Sequence, residues 1–110
     1  KARPIAVTSA QSSLLVPGVE PVAEPGFSGF NVIAWTALYA PKGTPADVLA
    51  KLNAALKVAL KDPDFIKKQE GLGAVVVTDK RVEPAEHKKF VAAEIAKWGP
   101  VIKAAGVYAD

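Results

Sequence analysis

Over the first forty positions the apolar residues come in runs, not at helical spacing. Residues 4–8 hold Ile5, Ala6 and Val7 in a row behind Pro4. A short apolar run entered through proline predicts a buried strand, with the proline where no ladder donor is needed. Residues 31–40 place Val32, Ala34, Thr36 and Leu38 on one face and Ile33, Trp35, Ala37 and Tyr39 on the other. With both faces largely apolar, this segment predicts a strand covered on two sides, as in a layered α/β structure. A third strand is expected at residues 74–78, where Val75, Val76 and Val77 are all β-branched. Between the first two, residues 9–30 carry Pro17, Gly18, Pro21, Pro25, Gly26 and Gly29. That is turn chemistry, and it predicts a long loop with at most one helical turn at 22–24.

After Pro41-Lys42-Gly43 the period changes to that of a helix. Thr44 is the expected N-cap, Pro45 the first helical residue, and Asp47 places negative charge at the positive helix end. Val48, Leu52, Ala55, Leu56 and Ala59 then form one apolar face as far as about residue 60. Asp62-Pro63 ends this helix and starts a shorter one through about residue 70, with Gly71 as the expected left-handed stop. The last helix is expected from Pro84 to Ala105. Its apolar stripe includes Phe90, Val91, Ile95, Trp98, Val101 and Ile102, and Gly106 closes it. Pro100 cannot donate to the Ala96 carbonyl, so a bend is expected there. The pattern as a whole is α/β, with few strands, three helices and a Pro/Gly-rich loop near the start.

Composition narrows the function more than the fold. The 110 residues suit one domain. Of the 50% that are apolar, 20 are alanine, so large core-forming side chains are scarce. The net charge of +3 comes from lysines scattered over helix surfaces and only two arginines, Arg3 and Arg81. A nucleic-acid binder concentrates charge on one face and adds aromatic or arginine readers, so no nucleic-acid partner is expected. Without cysteine there is no disulfide and no thiolate metal site. The only histidine, His87, lies in Ala85-Glu86-His87-Lys88-Lys89, with no nucleophile placed beside it and no second histidine at metal-ligand spacing. The carboxylate pairs Glu20/Glu24 and Asp62/Asp64 lack a third group to separate their pKa values. Gly71-x-Gly73 is not followed by the helix start that a phosphate cradle needs. No enzyme, cofactor or metal centre is expected.

The order of the remaining signals carries a resemblance. Ile5-Ala6-Val7-Thr8-Ser9 is followed by Leu14-Leu15, then Val22-Ala23-Glu24-x-Gly26-Phe27-x-Gly29-Phe30. Next come Trp35, Tyr39-Ala40-Pro41-x-Gly43-Thr44-Pro45, Leu52-Asn53 and Lys61-Asp62-Pro63. The series ends with Ala93-Glu94-Ile95-x-x-Trp98-Gly99 and Lys103-Ala104-Ala105-Gly106. In sequence and spacing this resembles the C-terminal part of the tripartite tricarboxylate transporter receptors, also called the Bordetella uptake gene family. The resemblance implies a type II periplasmic-binding-protein-like fold with two α/β lobes around a ligand cleft. Residues 1–110 would be one partial domain, with 1–30 the crossing strand and loop and 31–110 the elements that complete a lobe. The implied function is periplasmic capture of a small carboxylate and its delivery to membrane permease subunits. Family members hold the carboxylate through backbone amides, small hydroxyls and water. Ala34 and Thr36 stand where members often carry serine and an aromatic residue, which moves a hydroxyl from one position to the next.

On this resemblance the expected ligand-binding residues are Thr8 and Ser9 on the crossing strand, and Asn31, Trp35 and Thr36 on the next. Trp35 would supply an apolar wall and the others hydrogen bonds. An alternative expectation is that the isolated chain is an association module that binds no ligand. Cutting a lobe through its sheet leaves strand edges and apolar helix faces exposed, and such surfaces self-associate.

Overall fold

The structure is a computed structural model that describes residues 2–23 and 26–106. The short turn expected at 22–24 includes Glu24, which lies outside the described residues. Three helices are present: α1 (Ala46–Ala59), α2 (Pro63–Gly71) and α3 (Pro84–Ala105). A 3-10 turn, Lys80–Val82, precedes α3. The chain divides into two compact units. The first combines Lys1–Thr44 with Pro63–Val76, and the second Pro45–Asp62 with Val77–Asp110.

In the first unit the expected strand at residues 4–8 is reduced to one parallel bridge, between Val7 and Pro21. Val7 donates its N–H to the Glu20 carbonyl at 3.0 Å and accepts from the Val22 N–H at 2.9 Å. Both rungs use the neighbours of Pro21, so its missing N–H costs nothing here. Pro21 is fully buried. A strand-like segment inside residues 9–30 was not expected, because its proline and glycine content reads as loop. On the other side of the same segment, the Thr8 carbonyl accepts from Val32 N–H at 2.8 Å. Beyond that bond, residues 31–40 and 74–78 enter no named strand among the described residues. The three expected helices are therefore present, while among the described residues the expected sheet is reduced to this one bridge.

The helix ends differ in detail from the sequence expectation. Thr44 does not cap α1. Its hydroxyl donates to the Pro41 carbonyl at 2.8 Å and its N–H reaches the same oxygen at 3.2 Å, closing the 41–44 turn. Pro45 takes the N-cap place with extended backbone (φ −56°, ψ 146°) and makes no side-chain cap. The left-handed stop after α2 is Gly73 (φ +80°), and Gly71 stays helical. Gly73 N–H bonds the Glu70 carbonyl at 2.9 Å and Ala74 N–H the Gln69 carbonyl at 3.0 Å. Those two bonds are the paired closure of a Schellman motif. A Cβ at Gly73 would stand 2.6 Å from Leu15 Cδ1, so a larger residue here would strain φ and also push the Leu15 side chain aside.

The second unit is built around α1, the 3-10 turn and α3. Asp79 starts the turn by accepting from Arg81 N–H at 2.9 Å. Asn53 on α1 donates to the Val82 carbonyl at 2.8 Å, and Lys57 pairs with Glu83. These two contacts fix the entry to α3 against α1. Helix α3 is assigned continuously through Pro100 and ends at Gly106 in the left-handed conformation (φ +66°), as expected. Trp98 donates its indole N–H to Glu94 at 2.9 Å, one turn back. Among the described residues no hydrophobic side chain is fully removed from water apart from Pro21. Ile5 is 89% exposed, Val75 86%, Val58 73% and Ile95 67%.

Candidate functional site

Three of the five expected ligand residues meet at one turn of the first unit. Thr8 holds residue 32 through its carbonyl. Two residues later, Ala10 N–H donates to Asn31 Oδ1 at 3.1 Å. In a parallel ladder the next rung after Thr8–Val32 would use the Val32 carbonyl, so the Asn31 side chain ends the ladder by taking that donor. Ser9 lies between them and donates its hydroxyl to the Gln11 carbonyl at 2.7 Å. Ser9 is half-buried, and Thr8 and Asn31 are exposed.

The bonding pattern sets what each residue can offer an anion. With Oδ1 occupied by Ala10, Asn31 presents the two N–H donors of its amide. Thr8 keeps a rotatable hydroxyl. Ser9, whose proton points to Gln11, has acceptor capacity left and is the weakest of the three toward a carboxylate. Trp35 (41% exposed) and Thr36 (exposed) follow on the same segment, and the bonds joining Thr8, Ser9 and Asn31 do not include them. The turn is a neutral, hydroxyl- and amide-rich site with no acid–base group in it.

A groove that sequence reasoning missed lies in the second unit. It encloses about 280 Å³ and is lined by Lys57, Leu60, Lys61, Thr78, Asp79, Lys80, Val82 and Glu83. Its charges largely close on one another. Lys57 pairs with Glu83, and the Arg81 guanidinium grips both oxygens of Asp79 at 2.7–3.0 Å. The hydrogen bonds from the Arg81 side chain, then from its main chain, hold the Asp79 carboxyl at about 2, and Asp79 in turn raises Arg81. The signal for the turn was Asp79 two residues before Arg81, the spacing of an Asx-type cap. His87, the other chemical candidate, stacks on Phe90 with ring centroids 6.1 Å apart. Among the described residues no cluster of three or more His, Cys, Asp or Glu is placed to hold a metal ion. No helix among them is long and apolar enough to cross a membrane.

In fold, the chain is similar to solved periplasmic binding proteins. It superposes on the periplasmic binding protein BugD with a TM-score of 0.80 at 36% identity, over 93% of this chain and 34% of that one. MatC from Rhodopseudomonas palustris with bound malate gives a TM-score of 0.77 at 37% identity, over 88% of this chain and 33% of that one. An R. palustris protein solved with adipate gives 0.76 at 32% identity, over 94% and 34%. By sequence, the chain belongs to the tripartite tricarboxylate transporter family receptors, whose model matches residues 1–107. It is 42% identical over 101 residues to an Agrobacterium vitis protein of the ttuE–ttuC' intergenic region, covering 92% of this chain and 29% of that protein. It is 31% identical over 104 residues to BugT of Bordetella pertussis, covering 94% of this chain and 31% of that protein. The chain thus spans about a third of the length of the relatives it matches.

Proposed function

We propose that this chain supplies one wall of the ligand cleft in a periplasmic receptor. That receptor would capture a small carboxylate and deliver it to membrane permease subunits. The family match over residues 1–107 and the relatives solved with malate and adipate support a carboxylate-binding role. The observation that supports the site is the bond from Ala10 N–H to Asn31 Oδ1, which ties Asn31 to the segment that holds Thr8 and Ser9 and leaves its amide donors for a ligand. A carboxylate there accepts from Asn31 and Thr8, while Ser9 shapes the turn. Trp35 and Thr36 complete the wall, the ring through apolar contact and the hydroxyl through a further donor. Residues 1–110 act as one partial domain, and residues 4–8, 31–40 and 74–78 are strands of the sheet of its lobe.

The test is a chimera in which this chain replaces the matching third of the malate-binding relative. Titration calorimetry with malate, adipate and an aromatic acid should show binding of at least one. Asn31→Leu should weaken it roughly ten- to hundredfold, the loss of one or two hydrogen bonds to a charged group. A folded chimera that binds none of the panel would refute the proposal. The exposure of Ile5, Val75 and Ile95 also favours a second reading for the chain on its own, that of a module that self-associates through apolar surface. Light scattering that found a monomer across a wide concentration range would exclude it.

A further inference from the structure

The charges around the groove of the second unit can be matched off one by one. The carboxylates at and beside it each have a cation already. Lys57 pairs with Glu83, Arg81 holds both oxygens of Asp79, and Lys89 donates to Glu86 at 2.7 Å. Two more lysines line the groove, Lys61 just past the end of α1 and Lys80 in the 3-10 turn. Neither forms an ion pair among the described residues. Lys80 acts on Asp79 and Glu86 through charge alone, and both of those carboxylates are bonded to other cations. Asp62 follows Lys61 in the chain, but it does not line the groove and has a partner of its own. The helix ends do not decide the sign. The negative end of α1 at Leu60 and the positive end of α3 after Glu83 both fall at the groove, and their fields oppose.

We infer that this groove is a second anion site, built from residues other than those of the Thr8–Asn31 turn, and that it takes one compact dianion held by Lys61 and Lys80. A monoanion satisfies one of these two cations and leaves the other unmatched. A dianion satisfies both, so the site selects by charge. Its volume of about 280 Å³ is near the lower bound for small-ligand pockets. Thr78 adds a hydroxyl that forms no bond among the described residues, and Leu60 and Val82 add half-buried apolar surface. An inorganic oxyanion and a short dicarboxylate share the required chemistry, two negative charges within a small span.

The experiment titrates the full 110-residue chain, isotopically labelled, with sulfate, succinate and acetate at constant ionic strength. The amide signals of Thr78, Lys80 and Val82 are followed by NMR. Sulfate or succinate should shift them to saturation, and acetate should bind at least about fivefold more weakly. Either dianion as the tighter one supports the site, and their order identifies the source. Lys61→Gln and Lys80→Gln should each weaken the dianion about fivefold, the upper range for an exposed ion pair. Lys61→Arg and Lys80→Arg keep the charge and should keep the binding, which separates a lost charge from a lost fold. Lys51→Gln, on α1 but outside the groove, should change nothing. Asn31→Leu should also leave this binding unaltered, so the failure of one site is not read as failure of the other. Dianions that bind no better than acetate would overturn the inference, as would glutamine variants that bind like the parent.

Discussion

Asp79 shows how an exposed residue can be shaped by the side chain and main chain of one neighbour. Its carboxylate accepts from the Arg81 side chain and main chain together, which places its titration at about 2 against an ordinary 3.8. Because the folded pKa is the lower one, the contribution of this carboxylate is complete above about pH 4 and fades as pH falls toward 2. Following the carboxyl carbon by NMR should give a midpoint near 2. Arg81→Ala should raise it most of the way to the ordinary value, since the side-chain bonds are the larger cause and the main-chain N–H remains. A wild-type midpoint already at the ordinary value would mean that the fork on Arg81 does not form in solution. Asp79 was not singled out in the sequence, although its spacing to Arg81 was there to read. Thr8, Ser9 and Asn31 were singled out, but only through the resemblance. Their convergence depends on a bond from Ala10 to a side chain 21 positions away, which no local pattern encodes. Thr44 and Gly71 were misassigned for a local reason. The turn at Pro41 takes the Thr44 hydroxyl that a cap would use, and the left-handed position falls at Gly73, two residues past Gly71.

The structure carries the expected helices and only one bridge of the expected strands, because a helix satisfies its own backbone within four residues while a strand must find a partner elsewhere. All three helices stand within a residue or two of their expected bounds. Of the three expected strands, only residues 4–8 take part in a bridge, and they pair with Pro21 in a segment whose composition argued for loop. The proline inside α3 gives a test at this scale. Pro100 forfeits the bond to Ala96 O, a penalty of about 3 kcal/mol relative to alanine in a helix interior. Proline also restricts the unfolded chain, which returns about 0.4–1 kcal/mol. The first term is the larger, so Pro100→Ala should stabilise α3 by roughly 1–3 kcal/mol. Far-UV dichroism should show a deeper 222 nm signal and a higher temperature for its loss. Unchanged or lower helicity would mean that other contacts of Pro100 outweigh the missing bond.

At the scale of the whole molecule, half the residues are apolar, yet among the described residues only Pro21 is fully buried. Cooperative unfolding requires a shared core whose exposure links distant elements, and each fully buried leucine or phenylalanine would add about 1.5–3 kcal/mol to it. Composition foretold part of this shortfall through its 20 alanines, but it does not say which surface each apolar residue meets. Local order here comes instead from helix bonds, turns and a few ion pairs, each of which can be lost singly. Urea unfolding of the isolated chain should therefore be shallow, with an apparent m well below the roughly 1–3 kcal/mol/M of a closed domain. Trp35 reports on the first unit and Trp98 on the second, so single-tryptophan variants give the two curves separately. A steep, coincident transition from the isolated chain would show that its own 110 residues already form that core.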